Sequence, residues 1–167
     1  MNTFWRYTFL VFFSCHIPIT LLIDLQGLFG DYYPAVLRQL LRWHIQSFDD
    51  RLMDETPVWF TSFLWAELVL QLPLFFAFTW GLLHKKNWIR IPGIVYGAHT
   101  ATTCWPILGE ILWKKSDDEF KRGVLLALYA PFFVFPLLYA AFLIVIDVPF
   151  PPRVIDVPFP PKVTKLY

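Results

Sequence analysis

The chain has 167 residues, of which 57% are apolar, 20% aromatic and only 16% charged, with a net charge of +1. That composition lies outside the soluble globular range and reads as an integral membrane protein. A balance so close to neutrality, with no concentrated basic face, excludes nucleic acid as a partner.

In chain order, the apolar run over residues 5–28 exceeds the roughly 18 residues at which crossing a bilayer becomes the default reading. It is too long for the core of a signal peptide, contains His16 and Asp24 and lacks a small-residue cleavage pattern, so it reads as a retained first span. After Pro34, Leu37, Leu40, Leu41, His44 and Phe48 recur at helical spacing while Arg38, Arg42 and Gln46 occupy another face. This pattern predicts an amphipathic helix: either a solvated linker or an interfacial element, with Trp43 at its middle, that rests on the membrane surface or folds back as a lid. The acidic residues Asp49, Asp50, Asp54 and Glu55 read as a hydrated helix end rather than a metal site, because no His or Cys shares their spacing.

Three further apolar runs, over residues 58–83, 88–113 and 124–146, complete a predicted set of four spans. The expected fold is all-α: an integral membrane four-helix bundle occupying residues 1–146. Pro18, Pro73, Pro106, Pro131 and Pro136 fall within the spans, and each removes a backbone hydrogen bond and tends to kink its helix. Kinked helices can leave an interior gap, and the bundle is expected to hold a ligand cavity. Cys15 and Cys104 lie inside spans, where a small polarisable side chain packs well and no disulfide framework is implied. Beyond the bundle, VIDVPFPPR over residues 145–153 repeats as VIDVPFPPK over 154–162. The proline-rich tail, residues 147–167, cannot pack a core, and a recent duplication explains it better than a binding motif. Lys85, Lys86 and Arg90 place the tight connection between the second and third spans in the cytoplasm, which puts both termini there as well. The total count does not decide orientation, because the 14 Lys and Arg divide seven to each side on this topology.

Asp24 and Glu67 carry the functional signal. Each interrupts a spanning run, and a carboxylate in hydrocarbon costs several kcal/mol unless it meets a partner, a ligand or a wet cavity. Residues four apart on a helix lie nearly above one another, so His16, Thr20 and Asp24 make one polar line on the first span and Glu67 and Gln71 another on the second. Tyr96, His99, Thr100 and Thr103 share a face of the third, and Tyr129 precedes Phe132 and Phe133 on the fourth. Since lipid-facing positions should be apolar, these sides are expected to turn inward and line an elongated, aromatic-walled cavity. Two carboxylates held together in low dielectric cannot both stay charged cheaply, so the pair is expected to share one proton and present a single negative charge. Such a site suits a lipophilic amine, whose ammonium pairs with the ionised acid, and equally a sterol, whose hydroxyl needs one polar anchor. Metal binding and nucleophilic catalysis find no support. The dispersed His and carboxylates lack the compact spacing of zinc helices, neither cysteine has a demonstrable base, and there is no serine motif of the hydrolase type.

The segments SCHIPITLLIDLQ (14–26), ELVLQLP (67–73), WIRIP (88–92), YGAHTATT (96–103) with Pro106-Ile107-Leu108 after it, and Tyr129-Ala130-Pro131 closely resemble the EXPERA family of four-span endoplasmic-reticulum proteins. Within that family they are similar to the sigma-2-type receptors rather than to the emopamil-binding sterol isomerase. The resemblance covers nearly all of residues 1–146. It implies that Asp24 pairs with a ligand cation and that Glu67 hydrogen-bonds Asp24. It also implies that Gln71, Tyr96, Thr103 and Tyr129 line the pocket, that His16 stands near the polar network, and that Trp43, Phe48 and Phe63 are apolar walls, with Asp50 near the entrance. The ligands it implies are sterols (cholesterol or an oxysterol) and cationic amphiphiles, with no cofactor, and the role is cholesterol homeostasis through a transporter partner. It further implies a homodimer, in the endoplasmic reticulum and also in lysosomal or nuclear-envelope membrane. Two features depart from the pattern. Phe132 replaces a tyrosine of those receptors, and their lysine-rich C-terminal retention signal is missing. In the isomerase a histidine stands one turn before the first acid, where this chain has Thr20; His16 is a further turn away and reaches the acid only if the helix distorts at Pro18. Binding is therefore expected over catalysis.

Overall fold

The computed structural model describes residues 3–113 and 118–145, and every regular element among them is helical. Lys114 and Lys115, which enter the orientation argument, and the duplicated tail lie outside the described residues. The first span begins as α1, Thr3–Ile19, continues through a π-helical turn at Thr20–Asp24 and ends in the short α2, Gln26–Phe29. The amphipathic segment forms α3, Ala35–Phe48, which starts directly after Pro34 and stops where Asp49 takes a left-handed conformation (φ 55°). Asp50 then caps α4, Arg51–Glu55, and Pro57 precedes α5, Val58–Ala66. A second π turn, Glu67–Gln71, joins α5 to α6, Leu72–Leu83. Last come α7, Arg90–Trp113, and α8, Glu119–Val145.

Among the described residues, three helical stretches are long and apolar enough to cross a membrane: Thr3–Tyr32, Val58–Leu83 and Glu119–Val145. The expected third span is helical, and α7 with its 24 residues reaches about 36 Å, but it is not among those three. Gly93, Gly97, His99, Thr100, Thr102, Thr103 and Glu110 dilute its apolar character.

α1 packs on α6, and α7 lies against α8. The second pairing is close. A methyl group on Gly97 would collide with the Pro136 carbonyl oxygen and the Ala140 side chain, so the absence of a side chain lets the two backbones approach. Between the pairs sits an aromatic core with Phe9, Phe13, Phe75, Phe78, Tyr96 and Tyr139, each no more than 1% exposed. Phe13 lies 5.1 Å from both Phe78 and Tyr139, and Phe78 lies 5.4 Å from Tyr96, in tilted and edge-on geometry. A second, aliphatic cluster of Leu52, Met53, Phe60, Leu64, Ile107, Ile111 and Leu125 fills the other end. α3 covers it: Leu41, Ile45 and Phe48 pack on this cluster while Leu40 and Trp43 face outward. The helix is thus a packed cap on α8 and the first π turn, not a solvated linker.

Candidate functional site

Both intramembrane acids stand on π turns. In the first, the Leu25 N–H donates to the Thr20 carbonyl, five residues back, at 3.1 Å; in the second, the Leu72 N–H donates to the Glu67 carbonyl in the same way. Proline marks both places. Pro73 would press its ring against the carbonyl of Val69, and one wider turn just before it relieves that contact; Pro18 removes a backbone donor two residues before the first turn. A π turn leaves backbone carbonyls without their usual donors, which is costly in hydrocarbon. Here side chains supply them: Gln26 Nε2 donates to the Leu22 carbonyl at 2.7 Å and the Tyr33 hydroxyl to the Leu21 carbonyl at 2.6 Å. Partial burial, and after it the negative charge of Asp24, raise the Tyr33 phenol pKa above its ordinary value.

The wider turns change which side chains meet. Thr20 Oγ1 donates to Glu67 Oε1 at 2.5 Å, and the Asp24 carboxylate stands beside Glu67. His16 Nε2 faces Glu67 Oε1 at 3.9 Å, beyond hydrogen-bonding distance, and one donor atom from each of His16, Asp24 and Glu67 lies within 4.8 Å of the others. The distortion that the sequence requires for His16 to approach the acids is therefore present. The His16 ring is clamped between aromatics, with centroids 4.3 Å from Phe75 and 4.6 Å from Phe132. Gln71 continues the polar line, its Oε1 accepting from Thr100 Oγ1 at 3.3 Å.

A second polar node stands beneath α3. Asp50 is fully buried. Its Oδ1 accepts the Met53 N–H at 3.2 Å, and its Oδ2 accepts the Tyr129 hydroxyl at 2.9 Å and meets His44 Nε2 at 3.0 Å. The expectation of a hydrated helix end fails for this residue: the left-handed turn at Asp49 folds Asp50 back under α3, where His44, six residues earlier, becomes its partner. Only Asp49, Asp54 and Glu55 of that run are exposed.

The other expected site residues are spread over the molecule. Tyr96 sits in the aromatic core, Thr103 donates to the Thr100 carbonyl of its own helix at 3.1 Å, and Tyr129 belongs to the Asp50 node. Phe63 packs on Trp59 at 5.8 Å, and Trp43, 58% exposed, packs on Phe48 at 5.8 Å on the outer side of α3. A groove of about 620 Å³ runs between α1 and α8, lined by residues that include Phe4, Tyr7, Phe12, His16, Phe132 and Phe135. It reaches two of the expected residues, His16 and Phe132; Asp24 and Glu67 are not on its wall, and His16 stands between it and Glu67. Gln26 and Tyr33, whose side-chain donors bond carbonyls of the first π turn, are not among the residues expected from the sequence. The signal available was a proline within two residues of each π turn that bears an intramembrane acid.

Apolar helices of membrane-crossing length around one buried carboxylate, Asp50, and two half-buried ones, Asp24 and Glu67, define a helical membrane protein with a polar interior. The family model EXPERA (EXPanded EBP superfamily) matches residues 36–142, and the chain belongs to that family. It is 38% identical over 147 residues to Sigma intracellular receptor 2 of Homo sapiens, a match covering 80% of this chain and 84% of that protein. The Xenopus tropicalis protein of the same name is 42% identical over 146 residues, with the same two coverages. Efficient mitochondria targeting-associated protein 19 of Saccharomyces cerevisiae is 31% identical over 150 residues, covering 77% of this chain and 91% of that relative.

Proposed function

We propose that the protein is a receptor-type binding protein of intracellular membranes that takes sterols and lipophilic cationic amines at Asp24 and Glu67. The observation that carries this reading is the juxtaposition of the two acids on facing π turns, with carboxylate oxygens within 4.8 Å of each other and Thr20 donating to Glu67. A ligand ammonium pairs with the single negative charge of the pair, and the aromatic rings around His16 cover its apolar body. The groove between α1 and α8 gives a ligand dissolved in the bilayer a route that ends on His16. In this reading α7 crosses the membrane as a fourth span and residues 1–146 form one four-helix domain with both termini cytoplasmic. Sterol occupancy acts on cholesterol trafficking through a transporter partner, in the endoplasmic reticulum and in lysosomal or nuclear-envelope membrane, and two copies pair. The relatives named Sigma intracellular receptor 2 support the receptor assignment.

The test is binding of a radiolabelled lipophilic amine to wild-type and Asp24→Asn protein, with folding followed by circular dichroism. Removing one partner of a desolvated charge pair should weaken affinity by more than a hundredfold, on the order of 3 kcal/mol. Unchanged affinity in a folded variant contradicts the reading.

A second reading, a sterol isomerase, gains one specific observation: the first π turn brings His16 to the two acids, which supplies a third group for moving protons. Incubating the purified protein with a Δ8-sterol separates the two, since the binding reading expects no shifted double bond by mass spectrometry.

A further inference from the structure

His16 and Asp24 stand two turns apart on one face of the first span and Glu67 on the second, yet one donor atom of each lies within 4.8 Å of the other two. The imidazole is an unusual member of this group. His16 is 5% exposed, its Nδ1 has no hydrogen-bond partner among the described residues, and its Nε2 faces Glu67 at a distance too long for a hydrogen bond. A buried polar ring without a bond costs free energy unless something else engages it. We propose that this cluster is a binding site for a divalent metal ion, with zinc the fitting one, held by one imidazole nitrogen and two carboxylate oxygens.

Charge is the first argument. Two carboxylates and a dication sum to zero, which is the cheapest electrostatic state for a site in hydrocarbon. The ion takes the place of both the ligand ammonium and the proton that the pair shares, so metal and amine exclude one another. Donor chemistry is the second. One nitrogen with two carboxylate oxygens is a ligand set zinc accepts, with a fourth position left for water or a ligand. The third is support from outside the ligand set. Thr20 Oγ1 holds Glu67 Oε1 at 2.5 Å, and Phe75 and Phe132 fix the plane of the His16 ring. Donor atoms around a zinc ion at ~2.1 Å lie roughly 3.4 Å apart. The cluster must therefore draw in by up to about 1.4 Å from its 4.8 Å spread, within the reach of the Glu67 side-chain torsions. The proposal uses the same acids as the amine reading but does not depend on amine binding.

The full chain, purified in detergent and stripped with a chelator, is titrated with zinc chloride by equilibrium dialysis and with cobalt chloride by visible absorption. The expected result is one zinc ion per chain, the intense absorption band of a four-coordinate cobalt site, and displacement of a labelled amine by zinc. Asp24→Asn and His16→Gln should each weaken zinc affinity by more than about a hundredfold, beyond the 10–100-fold that outer-shell partners set. No saturable zinc binding, or wild-type zinc affinity in both folded variants, overturns the proposal. Should a variant fail to fold, the wild-type cobalt band and the one-to-one zinc stoichiometry decide, and absence of either overturns it. Amine binding without zinc binding removes the metal site and leaves the receptor reading intact; zinc binding without amine binding does the reverse.

Discussion

The aromatic core and the acid pair lie on the same helices and are built by opposite rules. In the core, Phe9 and Phe13 follow one another at i and i+4, Phe75 and Phe78 at i and i+3, and regular helices deliver every ring to one place. At the acid pair the helices abandon that regularity, and the residues that meet are the ones a wider turn has moved. Regular spacing makes a dry, close-packed interior; irregular backbone, repaired by Gln26 and Tyr33, makes a polar one. Stability should therefore reside in the first region and ligand recognition in the second.

That division can be broken most forcefully in the core. Phe13→Ala should lower stability by about 3–5 kcal/mol, through lost ring contacts and the cavity left behind, while the folded fraction keeps amine affinity. Thermal unfolding in detergent, paired with binding on the surviving protein, measures both. Gly97→Leu attacks the close α7–α8 approach against Pro136 and Ala140 and should cost about 1–3 kcal/mol by overpacking, again read as a lower unfolding temperature. The smallest effect belongs to the polar node. Tyr129→Phe removes one of the three groups that meet Asp50 and should cost about 1 kcal/mol of stability, with the His44 contact preserved in the His44 ring resonances. A loss from Tyr129→Phe as large as that from Phe13→Ala would erase the distinction between the two regions.

What could be read from the sequence follows the same line. Apolar run length and the Pro34 and Pro57 boundaries locate most of the helices, and the 3.6-residue pattern finds the inward face of α3 through Leu41 and Phe48. Asp24 and Glu67 announce themselves because each is an acid in an otherwise apolar run. Spacing of four residues puts His16 on the face of Asp24 but two turns away, and could not bring it within 4.8 Å of both acids, since that approach passes through a π turn whose width no periodicity encodes. Nor could it bury Asp50, whose partners lie 6 and 79 residues away, brought together by a left-handed turn and by the packing of α8. The α1–α8 groove belongs to tertiary packing alone, and the inward polar sides anticipated for four helices are divided between two nodes and the aromatic core.

Whether Asp24 and Glu67 act as one site is tested most directly by amine affinity across the wild type, Asp24→Asn, Glu67→Gln and the double variant. Two groups that hold one charge between them should be strongly non-additive, so the double variant should bind no more than about twofold worse than Asp24→Asn alone. Losses that simply add, giving a double variant weaker by the sum of both single effects, would show two independent groups and contradict the shared site.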